Sequence, residues 1–199
     1  MSKTLSYLFC FIQILLNLSG LFTNVYTTTI ANEYKTMVSS SNNLILCWIF
    51  LYLMEINLLR KLDITLHHKI KLYINLSQLF NSLWLMSYLN KDIYLALFNS
   101  MVLLLIQGLF VLKGIPLIDR KDKFKKVELI LKNYIYYYYS WMSIIFFQNL
   151  SVILLIFNFN QIFILFLFIY YLLINIYVFG GNKMFMIIYY IYLLDKIFI

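Results

Sequence analysis

Charge, proline, glycine, alanine and histidine are all scarce in this sequence. Charged residues make up 12% of the chain and apolar residues 63%. A water-soluble fold of 199 residues needs a polar skin, and so few charged side chains cannot cover one. A bilayer removes that requirement, so the composition points to lipid as the solvent. Proline occurs once, at Pro116, and no Pro/Gly-rich linker divides the chain, which reads as a single helical domain over residues 1–199. The only histidines, His67 and His68, are adjacent in a polar stretch, whereas a haem needs axial ligands facing one iron. Cys10 and Cys47 lie far apart in apolar stretches with no histidine at ligand spacing. They read as small buried hydrophobes and exclude a disulfide framework, zinc, copper or an iron–sulfur cluster. A Gly-rich phosphate loop is absent, as is a nucleophile with a neighbouring histidine and acid. The expectation is a chain that binds no metal or cofactor alone and catalyses no bond making by itself.

What is present is as biased as what is missing. Phe, Tyr, Met, Ile, Asn and Lys supply 103 residues, while Gly, Ala, Arg and Pro together supply ten. The first group has codons rich in A and T and the second codons rich in G and C, so an AT-rich genome is the simplest cause. Packing between membrane helices normally favours small residues, yet Ala31 and Ala96 are the only alanines. In this composition the chain resembles the mitochondrially encoded, unassigned membrane proteins of ciliates. That resemblance implies a subunit of the respiratory chain in the mitochondrial inner membrane.

A spanning helix needs about 20 mostly apolar residues, and charge divides the chain into seven candidates. They run from about Thr4 to Val25, Asn43 to Leu59, Leu72 to Leu89, Ile93 to Leu112, Tyr134 to Phe157, Ile162 to Phe179 and Met184 to Ile199. The last is short and carries Asp195 and Lys196, so six to seven crossings are expected in an all-α, polytopic fold. Asn90, Lys91 and Asp92 form a tight polar corner, and Pro116 is expected to stop the fourth helix. Lys and Arg gather on the side from which insertion occurs. With every segment crossing, one side receives Lys3, the Arg60–Lys71 loop, the Lys113–Lys132 loop and Lys183, in all 13 basic residues, and the other receives Lys35, Lys91 and Lys196. This parity places the N-terminus inside, which in a mitochondrion is the matrix. Neither a small-residue cleavage pattern nor an Arg-rich amphipathic presequence is visible near the start.

Glu55 is the most informative residue, because a carboxylate within an apolar span is costly and marks function by default. Its simpler reading is a side chain reaching toward the interface to pair with Arg60 and Lys61. Its sharper reading is a protonatable relay in a proton path. Lys113, Gly114, Ile115 and Pro116 resemble the lysine-to-proline stretch of antiporter-like complex I subunits, notably the second NADH dehydrogenase subunit. That resemblance implies a proton role for Lys113, although the family's downstream His and Trp are absent; as a residue alone Lys113 reads as a positive-inside anchor.

Gln13 with Asn17, Gln78 with Asn81, and Gln148 with Asn149 place amides inside spans, where interhelical hydrogen bonds are worth about 1 kcal/mol. The Asn-Leu-Ser triplets at Asn17, Asn75 and Asn149 match a glycosylation sequon by accident of their position in spans. Arg120, Lys121, Lys123, Lys125 and Lys126 crowd one loop, enough to attract anionic lipid, cardiolipin among them, or an acidic partner subunit. Topology already explains that charge, so nucleic acid is not an expected partner. Tyr134 to Tyr139 with Trp141 read as an interfacial aromatic belt. The preferred assembly is NADH dehydrogenase (complex I), with cytochrome c oxidase and ATP synthase behind it. Members of ATP synthase subunit a resemble one another in an arginine within a span, while Arg60 and Arg120 lie in or beside loops. An autonomous transporter or protein-insertion component is the alternative from another class.

Overall fold

In the computed structural model the described residues are 3–18, 33, 45–61, 68–118, 125–179, 186, 187, 189, 191 and 192. Among them the chain is all helical, with no strand and six helices. Helix α1 is Lys3–Leu18, α2 Ile45–Lys61, α3 His68–Leu89, α4 Ile93–Leu109, α5 Lys125–Ile156 and α6 Gln161–Phe179. Three stretches are long and apolar enough to cross a bilayer: Ile93–Gly114, Leu129–Ile156 and Gln161–Val178. Ser6–Leu16 is a shorter apolar helix. Helix α3 has the length of a crossing, but Asn75, Ser77, Gln78, Asn81, Ser82 and Ser87 lower its apolarity. All six of those side chains are buried, so α3 is polar on its inward faces.

Paired side chains show that the helices alternate in direction. Ser6 meets Asn75, and Gln13 meets Gln78 and Asn81, so α1 runs parallel to α3. Trp48 stacks on Trp84 while Glu55 meets Gln78, so α2 is antiparallel to both. Asn99 meets Ser87, Gln107 meets Ser77 and Phe110 stacks on Tyr73, which sets α4 antiparallel to α3. Tyr139 lies beside Gly108 while Ile93 clusters with Val152 and Ile153, which turns α5 back along α4. Phe147 meets Phe168 and Tyr139 meets Asn175, so α6 reverses again. One end of the bundle therefore gathers Lys3, Arg60, Lys61, Lys69, Lys71, Lys113, Lys125 and Lys126 at helix termini. The other end holds the 90–92 corner and the Asn158 turn.

That second end is built by polar side chains acting on backbone. Asp92 Oδ1 accepts from the Leu95 N–H at 3.0 Å, an N-cap worth about 1 kcal/mol. Lys91 takes φ 60°, which closes the corner in a few residues, and its ammonium reaches Glu33 at 2.7 Å. Glu33 and Lys91 thus lie at one end, as the charge parity requires. Asn160 Oδ1 accepts from the Ile162 N–H at 2.8 Å and starts α6.

Pro116 does not stop the fourth helix. The chain widens into a π turn over Phe110–Gly114 and continues through a helical turn over Ile115–Ile118. Proline is tolerated in the first turn of a helix, where its missing N–H has no partner to lose, and the π turn gives Pro116 that position. Gly114 is required there, because a Cβ at this position would overlap the Phe110 ring.

The aromatic-belt reading of residues 134–141 is overturned. Tyr134, Tyr137, Tyr138 and Trp141 are buried against α2 and α3. Helix α5 starts at Lys125, so Tyr134 lies about 13 Å along the helix from its first residue and not at its mouth. Beyond α6, the described Tyr189 shares a 2.6 Å hydrogen bond with Ser143, and Tyr192 packs edge-on against Phe168. The rest of the Met184–Ile199 stretch lies outside the described residues.

The exterior is oily. Tyr94, Phe98 and Leu105 on α4, Leu112 on the π turn that follows it, and Phe166, Tyr170, Leu173 and Tyr177 on α6 are exposed. Only 22% of the α6 span is buried, against 61% of the α5 span, which makes α5 a core helix and α6 a peripheral one.

Candidate functional site

Five helices contribute to one buried polar network, organised around α3. Gln78 and Asn81 are about one turn apart, Ser77 turns toward α4, and Asn75 faces α1. Glu55, 1% exposed, accepts a hydrogen bond from the Gln78 amide. Gln13 from α1 donates to the Gln78 carbonyl at 2.9 Å and accepts from Asn81 at 2.9 Å. On the α4 side, the Gln107 amide donates to the Ser77 hydroxyl at 2.7 Å, and that hydroxyl donates to the Tyr73 carbonyl at 2.7 Å. Tyr138 from α5 donates to the Ser77 carbonyl at 3.4 Å. Toward the basic end, Ser6 donates to Asn75 at 2.7 Å, and Asn75 donates to the Lys71 carbonyl at 2.9 Å.

The network is incompletely satisfied. Gln78 Oε1, Asn81 Oδ1, Gln107 Oε1 and the Tyr134 hydroxyl are buried without a hydrogen-bond partner. A buried polar atom left alone costs about 1–3 kcal/mol, so four in one place are a distinctive feature. Cys10 and Tyr134 flank the Glu55 carboxyl.

Glu55 does not pair with Arg60, which lies five positions on, about 140° around the helix and off the inward face; the Lys61 side chain lies outside the described residues. Arg60 is exposed, and among the described residues no basic side chain pairs with Glu55. The arrangement presents a carboxyl with amide and hydroxyl neighbours in a low-dielectric interior, a group able to hold or release a proton without a charged partner.

The other expected site residues are not brought to this network. Lys113 is exposed on the π turn. Lys125 and Lys126 begin α5, with their side chains outside the described residues, as are Arg120, Lys121 and Lys123. Cys10 and Cys47 are both buried and form no disulfide with each other. Of the three amide pairs, Gln13 and Gln78 with Asn81 make interhelical bonds, while Asn149 bonds the Ile145 carbonyl of its own helix. The Asn17 side chain lies outside the described residues.

Comparison with known proteins finds no matching family model, no matching curated protein and no matching solved structure. The functional reading therefore rests on the residues themselves.

Sequence reasoning missed Gln107, Ser77, Asn99 and Tyr138. A usable signal existed for Gln107, the one amide near the end of a strongly apolar helix whose partner also had to be polar. For Ser77 there was none, because serine is satisfied by its own helix in any environment.

Proposed function

We infer that this chain is an integral subunit of a mitochondrial inner-membrane respiratory complex, NADH dehydrogenase (complex I) first among them. It is a helical scaffold around a proton-handling carboxyl, with its N-terminus on the matrix side and six to seven crossings. Electron transfer and cofactors belong to neighbouring chains, and the 113–132 loop meets cardiolipin or an acidic subunit. The observation that carries this reading is a buried carboxyl–amide network inside a bundle whose outer faces are apolar. Buried ionisable groups within membrane helices mark ion or proton pathways more often than structural fill. Alternation of the helices, with the basic termini at one end, supports the orientation through the positive-inside rule. The nucleotide bias supports an organelle genome, and organelle genomes retain few membrane proteins outside energy conversion.

Blue-native electrophoresis of solubilised membranes, with mass spectrometry of each band, tests the assignment. The expected result is co-migration with NADH dehydrogenase subunits. Co-migration with cytochrome c oxidase or ATP synthase moves the chain to that assembly. A small independent band overturns the subunit reading in favour of an autonomous transporter or insertion component.

A further inference from the structure

Around Glu55 the acceptors outnumber the donors. Gln78 is midway along the 22 residues of α3, and Asn81 follows it by one turn on the same side of the helix. The Gln78 amide donates to Glu55, the Asn81 amide to Gln13 and the Gln107 amide to Ser77. Gln13 closes the cluster by donating to the Gln78 carbonyl, which also accepts from the Ser82 hydroxyl at 2.9 Å. What is left over is oxygen: Gln78 Oε1, Asn81 Oδ1 and Gln107 Oε1 are buried and accept nothing among the described residues. An amide oxygen can only accept, so each of them calls for a donor or a cation.

The spare donors nearby do not serve these oxygens. Trp84, one turn past Asn81, stacks on Trp48 with ring centroids 5.6 Å apart, and Trp141 meets Trp48 edge-on at 5.7 Å. In this ring layer the Trp84 and Trp141 indole nitrogens are themselves buried without a hydrogen bond. Glu55 adds a carboxyl that is 1% exposed, and among the described residues no basic side chain pairs with it. Buried charges are paired or coordinate a metal. A proton on the carboxyl supplies one donor to a cluster with several waiting acceptors, whereas a bound cation draws on several oxygens at once. One carboxylate balances one positive charge, and a divalent ion would leave an uncompensated charge in a low-dielectric interior. Carboxylate and amide oxygens are the ligands of hard ions.

We propose that Glu55, Gln78 and Asn81 form a buried binding site for one alkali-metal cation, whose charge the Glu55 carboxylate balances and whose shell the spare amide oxygens fill. The groups facing Glu55 are Cys10 from α1, Gln78 from α3, and Tyr134 and Tyr138 from α5, with Tyr52 on its own helix near Tyr138. Helix α4 adds Gln107 to the same network through Ser77. None of these neighbours carries positive charge, so nothing in the cluster competes with the ion for the carboxylate. The site deepens the proposed function by naming a second ion for the same carboxyl. It rests on that reading only in taking Glu55 as able to ionise inside the bundle, and not on which assembly the chain joins.

The test is thermal unfolding of the full chain in phosphatidylcholine vesicles, in sodium chloride, potassium chloride or N-methylglucamine chloride at equal ionic strength and one mildly alkaline pH. Sodium or potassium is expected to raise the unfolding temperature saturably, by roughly 3–5 °C at about ten times the dissociation constant. The better of the two reports the size of the site. Glu55→Gln is expected to abolish the difference between salts. Equal unfolding temperatures for wild type in all three salts overturn the proposal, as does an undiminished difference in Glu55→Gln. Should Glu55→Gln fail to fold, sodium-23 NMR of wild type and of Asn81→Leu decides. A broadened sodium line that potassium reverses, and that Asn81→Leu weakens roughly tenfold in affinity, supports the site; a line that wild type leaves sharp, or that Asn81→Leu broadens equally, overturns it. Wild type indifferent to both ions, yet showing an infrared carboxylic acid band that is missing from Glu55→Gln, sinks the cation site while the proton-handling carboxyl stands.

Discussion

Gln78→Leu is expected to destabilise the bundle by about 3 kcal/mol, far more than the loss of any other single amide. Gln78 donates to the Glu55 carboxyl, which Cys10 and Tyr134 also flank. Removing it takes the amide donor from a buried carboxyl, and breaking up a buried charged pair costs about 3–5 kcal/mol. A neutral interhelical hydrogen bond in a membrane averages only about 0.6 kcal/mol. Gln13→Leu loses bonds of that ordinary kind, to the Gln78 carbonyl and from Asn81, and should cost about 1 kcal/mol. The double variant Glu55→Leu with Gln78→Leu should recover most of the loss, because removing both partners leaves no orphan. Unfolding by steric trapping in bicelles measures all three. Equal losses for Gln13→Leu and Gln78→Leu would show that Glu55 is not the centre of the network.

Trp48→Ala carries the second large effect, also about 3 kcal/mol. Its indole meets three rings, those of Tyr52, Trp84 and Trp141, at centroid distances of 5.9, 5.6 and 5.7 Å. Each aromatic pair is worth about 0.5–1.5 kcal/mol beyond burial. Lipid is as apolar as the side chain it replaces, so the transfer part of the usual core penalty falls away and the lost contacts and cavity remain. The comparison is Tyr177→Ala on α6. Tyr177 is 92% exposed, and its truncation should change stability by less than about 0.5 kcal/mol. A Trp48→Ala variant as stable as Tyr177→Ala would mean that the ring layer does not hold α2, α3 and α5 together.

Much of the fold was legible because charge and apolar length are one-dimensional signals. The segmentation placed α2, α3, α4 and α6 close to where they lie, and the alternation of basic loops matched the alternation of helix directions. Facing is harder to read, because it depends on where a helix begins. Tyr134 to Trp141 looked interfacial only while α5 was taken to start at Tyr134; nine further residues from Lys125 turn the same rings into core. Arg60 looked like a partner for Glu55 by proximity in sequence, but five residues along a helix is the wrong face. The amides of Gln13, Gln78 and Asn81 were visible as costly groups needing partners, and three helices supply them to one another. Gln107 lies on the buried stripe of α4 with Ile93, Ala96, Asn99, Ser100 and Leu103, a helical spacing that could have been read, whereas Ser77 on α3 carried no such signal.

Gly108 on α4 lies against Tyr139, and Gly114 leaves room for the Phe110 ring within the π turn. Elsewhere, buried serines, rings and amides fill the space that Gly and Ala occupy in other membrane bundles. Tyr137 bonds the Cys47 carbonyl at 3.1 Å and Tyr139 bonds Asn175 at 3.0 Å, so the tyrosines of α5 act as both packing and hydrogen-bond donors.

Single cysteines at Arg60, Lys91 and Lys121, in a background with Cys10 and Cys47 replaced by serine, probe the threading of the chain through lipid. A membrane-impermeant maleimide should label the positions at 60 and 121 from one face and the position at 91 from the other. Labelling of 60 and 121 from opposite faces would contradict the up-and-down bundle and everything built on its two ends.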